Sequence, residues 1–444
     1  YWQGGQQHPV QTQIVELDIP VCKQPQNILC GIQSSTDMVR YYGNQFPGIL
    51  KSLGINYLTY WKLGAGKEWL SLLRQNGIKT DTEHSGVGEY VKILKNHPEC
   101  KATNHSGQIA NIISPLPEGG ILQQMLTDMN TLASYGFAGV AYDDEYYRDW
   151  QGMDIDMSLK AKRLWRQWLS LNYPSLSYVE PEAIWEQTAS NQLLLGAWRL
   201  FRCSLRTEWY KQCINQFKSS SNEHTPVVFP WTALQAGRPT IKGSQTSLFN
   251  YRELKNHVDY FSPQFYCSPI KIRTMTRKLT KVVGKEKALP LLVAGEARAN
   301  RFVWKKGELK AMILEVLFAG AAGYNFWGIP YTNLTRLAEI AETNNAVAQH
   351  ESVFVNGTET NSFEVEEEPR QFVSVLETPR EGLLLVSNYT KIEGKNNVLV
   401  IKNVSAAFTL TNVFTGEVIE LVQGQTLFYV NIEPGQCVLF HWSK

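Results

Sequence analysis

The sequence predicts an α/β fold, a (β/α)8 or TIM barrel followed by a C-terminal all-β sandwich domain. Three observations predict it. From about Asn27 a short β-branched or aromatic run, a polar turn and a longer segment of helical period recur eight times. No GxGxxG or GxxxxGK[ST] turn follows the first run, which argues against a nucleotide-binding open sheet. After about Val355 the helical period gives way to period-two alternation, with turn signals at the roughly 8–12-residue spacing of a sandwich.

Composition narrows the function classes. Among 444 residues, 43 Lys+Arg face 41 Asp+Glu, a net charge of +2, which argues against a basic nucleic-acid binder and a polyacidic tail. With 43% hydrophobic and 19% charged residues, disorder is excluded. No stretch reaches the ~18 consecutive apolar residues of a membrane span. The 11% aromatic share fits clefts that stack rings on sugars, and equally a large core. The chain begins at Tyr1 with YWQGGQQHPV, which has no signal-peptide pattern, so a leader already removed is one expectation. Sequons at Asn104, Asn333, Asn356, Asn388 and Asn403 lean towards a secreted or lysosomal setting. Seven cysteines without CxxC spacing argue against a zinc site or redox pair, while Cys22 and Cys30 are spaced to bridge a short loop.

Residues 1–26 read as an extension with one strand, QIVELDI. The barrel is assigned to 27–350, its strands at 28–36, 55–61, 78–85, 137–145, 225–234, 260–267, 288–297 and 322–331. Between them lie amphipathic helices such as GKEWLSLLRQNG, ILQQMLTDMNTLASYG, IRTMTRKLTKVVG and GELKAMILEVLFAGA, with Gly77, Gly136 and Gly284 where C-terminal caps belong. A helical insertion over 151–224 expands the fourth unit and is expected to wall or cover the barrel mouth. Residues 351–444 form the sandwich, from QFVSVLE to QCVLFHW.

Chemistry in such a barrel is expected at the C-terminal strand ends. The fourth run, GFAGVAYDDEYYRDW, ends in Asp143, Asp144 and Glu145, with Asp143 and Glu145 on one side by alternation. Clustered carboxylates raise at least one pKa, which suits a general acid. The alternative is a solvated acidic loop paired with Arg148. The seventh run ends in LLVAGEARANRF, placing Glu296 at the mouth, unless it pairs with Arg298 or Arg301. Two such carboxylates can flank a glycosidic bond, at ~5 Å for a covalent intermediate or ~6.5–9.5 Å for inversion. Tyr266 and Trp327 close the sixth and eighth runs as a phenol donor and a stacking floor. His84 and Trp231 are further candidates for hydroxyl contact and stacking. No metal spacing and no G-x-S-x-G elbow is present, and no cofactor is implied.

These motifs resemble the (β/α)8 glycoside hydrolases over about residues 27–350, with the C-terminal β domain many of them carry. In the retaining clan that includes the family 42 β-galactosidases, an acid/base Glu ends strand four and a nucleophile Glu ends strand seven. A Tyr near strand six and a Trp ending strand eight accompany them. Glu145, Glu296, Tyr266 and Trp327 match these places, and VAGEARANRFVWKKGELKAMILEVLFAGAAGYNFW looks like the corresponding region. Where that clan carries Asn before the acid/base, this chain has Asp144.

The fourth run also resembles the family 18 chitinase motif GFDGxDxDxE. GFAGVAYDDE keeps Asp143 and Glu145, with Ala138 and Ala141 in place of the earlier acids. That resemblance implies attack by the substrate's own acetamido group, oriented by Asp143, with Glu296 uninvolved.

The sequence reading is therefore a glycosidase acting on a carbohydrate substrate, retaining, with Glu145 as acid/base and Glu296 as nucleophile. Asp143 and Asp144 would tune Glu145 or bind hydroxyls. The alternatives are a substrate-assisted hexosaminidase and a catalytically silent sugar-binding barrel. A barrel lyase would need a Lys at a strand mouth, and Lys79 lies inside its run.

Overall fold

The computed structural model describes residues 2–3, 6–7, 22–34, 42–60, 67–84, 86–142, 156–186, 192–220, 227–228, 248–294, 304–327, 334–365, 370–390, 396–401 and 407–444. Each of the eight runs contains a strand: β1 (Leu29–Ser34), β2 (Tyr57–Tyr60), β3 (Lys79–His84), β4 (Gly139–Tyr142), β5 (Val227–Val228), β6 (Tyr260–Phe261), β7 (Leu291–Val293) and β8 (Gly323–Trp327). They form one parallel sheet in the order β6-β5-β4-β3-β2-β1-β8-β7. No continuous ladder joins the end strands β6 and β7. Isolated parallel bridges, Phe261 with Ala288 and Gln264 with Leu291, connect them instead.

Helices alternate with the strands: α1 (Phe46–Ser52), α2 (Lys67–Gln75), α3 (Gly119–Tyr135), then α4 (Leu159–Asn172), α5 (Pro181–Glu186) and α6 (Gln192–Ser220) in the expanded fourth unit. α7 (Pro269–Val283), α8 (Glu308–Phe318), α9 (Leu334–Gln349) and α10 (Glu351–Asn356) follow. α3 shows why such segments become helices. Its buried residues Ile121, Leu122, Met125, Met129 and Leu132 fall at helical spacing on one face, and Gly136 ends it at φ 91°. In the insertion, α4 and the first half of α6 share a separate core in which Trp165 meets Trp198 edge-on at 5.4 Å. The second half of α6 packs Trp209, Cys213 and Phe217 into the main core.

The C-terminal strands are β9 (Thr358–Thr360), β10 (Glu364–Val365), β11 (Gln371–Glu377), β12 (Glu381–Asn388), β13 (Asn397–Ile401), β14 (Phe408–Asn412), β15 (Val418–Leu421), β16 (Leu427–Asn431) and β17 (Gln436–Ser443). They make a six-stranded sheet, β9-β11-β12-β17-β14-β15, and a three-stranded sheet, β10-β13-β16. One face of the larger sheet meets the smaller in a core of Leu384, Val398, Leu410, Phe428 and Trp442. Its other face, with Leu383, Leu385 and Leu439, joins the main core against α8.

From Ala311 to Phe318 α8 is consequently buried all round, and Glu315 is fully buried with it. Glu315 accepts from Arg273 Nη1 at 2.8 Å, Ser387 Oγ at 2.9 Å and the Tyr389 hydroxyl at 2.7 Å. A second polar junction lies between α9 and α10, where the His350 ring packs on His441 with centroids 4.5 Å apart. Burial, then the neighbouring His441, push the His350 imidazole down to about 4 against the pull of Glu381.

One sequence expectation is corrected. None of the seven cysteines forms a disulfide, Cys22 and Cys30 included: both are buried, and the Cys22 thiol donates to Ala341 O at 3.0 Å. Of the sequon asparagines, Asn388 is held inside the fold. Its side chain is fully buried, donating to Ile432 O at 2.8 Å and accepting from Thr390. Asn356 is exposed, whereas Asn333 and Asn403 lie outside the described residues. The strand expected at QIVELDI lies outside them too. Among the described residues no helix is long and apolar enough to cross a membrane.

Candidate functional site at the C-terminal edge of the parallel sheet

Parallel pairing puts all eight C-terminal strand ends at one edge. There β4 ends at Tyr142, paired with His84 of β3, and Ala294 N donates to Trp327 O at 2.9 Å, setting the end of β7 beside that of β8. Asp143, Asp144 and Glu145, which follow Tyr142 in sequence, lie outside the described residues, as do Glu296 and Trp231. Tyr266 and Trp327 are both described, both half-buried, and brought together: their rings stack at 5.6 Å with an interplanar angle of 23°.

The structure places His84 among the helices. Thr82 and His84 alternate to one side of β3, and the His84 ring packs against Tyr90 and edge-on against Tyr142. Its Nδ1 accepts from Gly86 N at 3.0 Å, leaving Nε2 to meet the Tyr90 hydroxyl at 3.1 Å, which in turn donates to Asp128 at 2.6 Å. Burial lowers the His84 pKa, opposed by Glu89 and Asp128.

The other side of β3 carries residues that the strand-end criterion missed. Asp81 is fully buried and accepts from the Tyr57 hydroxyl at 2.7 Å. Thr59 links Tyr57 at 3.4 Å to Asn325, whose Nδ2 donates at 3.1 Å. Two residues towards the edge, Glu83 accepts from Gln33 Nε2 at 3.3 Å. Burial raises the Asp81 carboxyl to about 8 against the lowering effect of the Tyr57 hydrogen bond, so it is largely protonated at neutral pH. The network also explains Gly31: a Cβ there would sit 2.5 Å from the Tyr57 ring and 3.1 Å from Asn325 Oδ1. Among the described residues, Gln33 Oε1, Gln264 Oε1 and Asn325 Oδ1 are buried acceptors with no protein donor, and Asp81 Oδ1 has no protein partner either. The sequence signal was present in IKTDTEHS, where two carboxylates at period two mark a polar inner face.

A cavity of about 410 Å³ opens at the opposite edge, bordered by Asn27, Tyr260, Glu286, Ala322 and Gly357. Those are the strand beginnings, where this architecture carries stability and not chemistry.

No protein-family model matches the chain, and no curated protein matches it in sequence. Its fold is similar to that of several solved structures. A β-galactosidase from Bacillus circulans sp. alkalophilus superposes with a TM-score of 0.64 at 8% identity, covering 95% of this chain and 100% of that one. A β-L-arabinopyranosidase of glycoside hydrolase family 27 from Geobacillus stearothermophilus gives 0.54 at 12% identity, covering 96% and 97%. α-Galactosidase I from Mortierella vinacea gives 0.53 at 9% identity, covering 94% and 96%. The likeness is one of fold, a strand–helix barrel with a C-terminal β domain.

Proposed function

We propose that the chain is a retaining glycoside hydrolase whose parallel sheet closes as a (β/α)8 barrel. The observation that carries this reading is the full-length likeness of fold to glycosidases, spanning the barrel and the β domain together. The Tyr266–Trp327 stack at the C-terminal edge supports it, as a platform for a pyranose face. The buried acceptors of Gln33 and Gln264 support it too, as partners for hydroxyl donors.

In this reading Glu145 protonates the leaving oxygen while the Glu296 carboxylate attacks the anomeric carbon and forms a glycosyl ester. Glu145, now ionised, then takes a proton from water, which hydrolyses the ester. Asp143 and Asp144 set the Glu145 pKa or hold sugar hydroxyls.

The test is a panel of aryl glycosides and natural glycans with wild type, Glu145→Gln and Glu296→Ala in parallel. Loss of turnover in both variants, with azide restoring Glu296→Ala through a glycosyl azide, is the expected result. Near-wild-type turnover of Glu296→Ala on an N-acetylated substrate replaces the mechanism with acetamido assistance by Asp143 and Glu145. Binding without cleavage by the wild type leaves a sugar-binding barrel.

A further inference from the structure

The junction of α9, α10 and the six-stranded sheet brings together three residues that are remote in sequence. Glu381 opens β12 and His441 lies near the end of the adjacent β17. The register pairs Glu381 with Ser443 and Leu383 with His441, so Glu381 and His441 share one face of the sheet as diagonal neighbours. His350 comes from the turn between α9 and α10, and its ring packs on that of His441 with centroids 4.5 Å apart and planes at 31°. His441 Nε2 stands 2.9 Å from Glu381 Oε2, and one donor atom from each of the three residues lies within 4.8 Å of the others.

A hydrogen bond between Glu381 and His441 accounts for two of these groups. It gives no reason for a second imidazole held against the first beside the same carboxylate. From this geometry we propose that His350, Glu381 and His441 form a binding site for a divalent first-row transition-metal ion, with zinc best matched by the donor set. Two imidazoles and one carboxylate, with water in a fourth position, is a tetrahedral His2Glu arrangement. Donors at ~2.1 Å from zinc stand roughly 3.4 Å apart, so closure draws the widest pair inward by at most about 1.4 Å, a movement within reach of side-chain torsions.

The surroundings suit the role. Ser352 Oγ donates to Glu381 Oε1 at 2.8 Å, fixing the carboxylate and turning Oε2 towards the rings, as an outer-shell partner does. All three residues are partly buried, His441 and Glu381 at 23% and 30% side-chain exposure, so an ion can enter from solvent without a channel. The site lies away from the proposed catalytic edge. It joins the helical end of the barrel segment to β12 and β17, so the bound ion would clamp the two segments together.

The test uses the full chain without a histidine tag, stripped with chelator and dialysed against zinc chloride. One equivalent is expected to bind, with Co²⁺ giving the visible absorption of a four- or five-coordinate site. His441→Ala and Glu381→Gln are expected to lose it, and Ser352→Ala to weaken it by about tenfold. Circular dichroism and urea midpoints, taken on every variant without metal, show which remain folded. A wild type that binds no zinc at 100-fold excess overturns the proposal, as does a folded His441→Ala variant that binds with unchanged affinity. Both outcomes are independent of glycosidase activity.

Discussion

Tyr266 stacks on Trp327 at 5.6 Å, tying the chain after β6 to the end of β8 across the seam between β6 and β7. Both rings remain half-buried. If this pair forms a sugar platform, Trp327→Ala should raise KM for the accepted glycoside by at least about tenfold, roughly 1.4 kcal/mol of binding, with a smaller change in kcat. Tyr266→Phe keeps the stack and removes only the hydroxyl, so its KM should stay near wild type. Steady-state kinetics on the best aryl glycoside decides this, and an unchanged KM in Trp327→Ala removes the platform.

The ion pair beneath the C-terminal sheet gives a stability prediction. Glu315 satisfies Arg273, Ser387 and Tyr389 at once, with no exposure of its own side chain. Glu315→Ala leaves those donors without their acceptor, and Arg273 is itself only 12% exposed. A loss of about 3–5 kcal/mol is expected from urea unfolding. Replacing both partners, as in Arg273→Met with Glu315→Leu, should recover much of it, because no lone buried charge remains. Equal losses in the single and double variants would show that the pair is not the source.

What the sequence disclosed follows from what is periodic. Period-two and helical runs bury a face whatever lies across from them, so all eight strand positions and the seven long C-terminal strands were legible. Facing was harder to read. His84 ends its strand yet turns towards Tyr90 and Tyr142, because one step along a strand reverses the side, and Glu83 occupies the opposite side instead. Partners across the sheet, such as Gln33 with Glu83 or Tyr57 with Asp81, leave no mark in a linear reading. The His350–Glu381–His441 cluster was missed for the same reason: its members are separated by a helix and seven strands.

The cysteines give a chemical prediction. Burial raises the thiols of Cys22 to about 11 and of Cys30, Cys213 and Cys267 to about 12, and it raises Cys203 and Cys437 as well. Thiolate is therefore scarce at pH 8, and the folded chain should react slowly with Ellman's reagent, Cys267 first because it alone is half-buried. Denaturation without reductant should release all seven thiols. A count of five would reveal a disulfide and overturn this reading.

The buried Asp81 carboxyl makes stability depend on pH in a defined direction. Its pKa is about 8 in the fold, raised first by burial, whereas an unfolded Asp titrates near 3.9. Between those values the folded chain holds a proton that the unfolded chain has released, so the slope of unfolding free energy with pH is negative. The Asp81 contribution is thus neutral below about pH 4, grows steadily unfavourable as pH rises, and levels off above about pH 8. Asp81→Asn keeps an oxygen acceptor for the Tyr57 hydroxyl and cannot ionise. The variant should match wild type at pH 4 and exceed it in stability at pH 8, the gap widening between. Urea midpoints across this range test the point, and a constant difference would place the Asp81 pKa near its ordinary value.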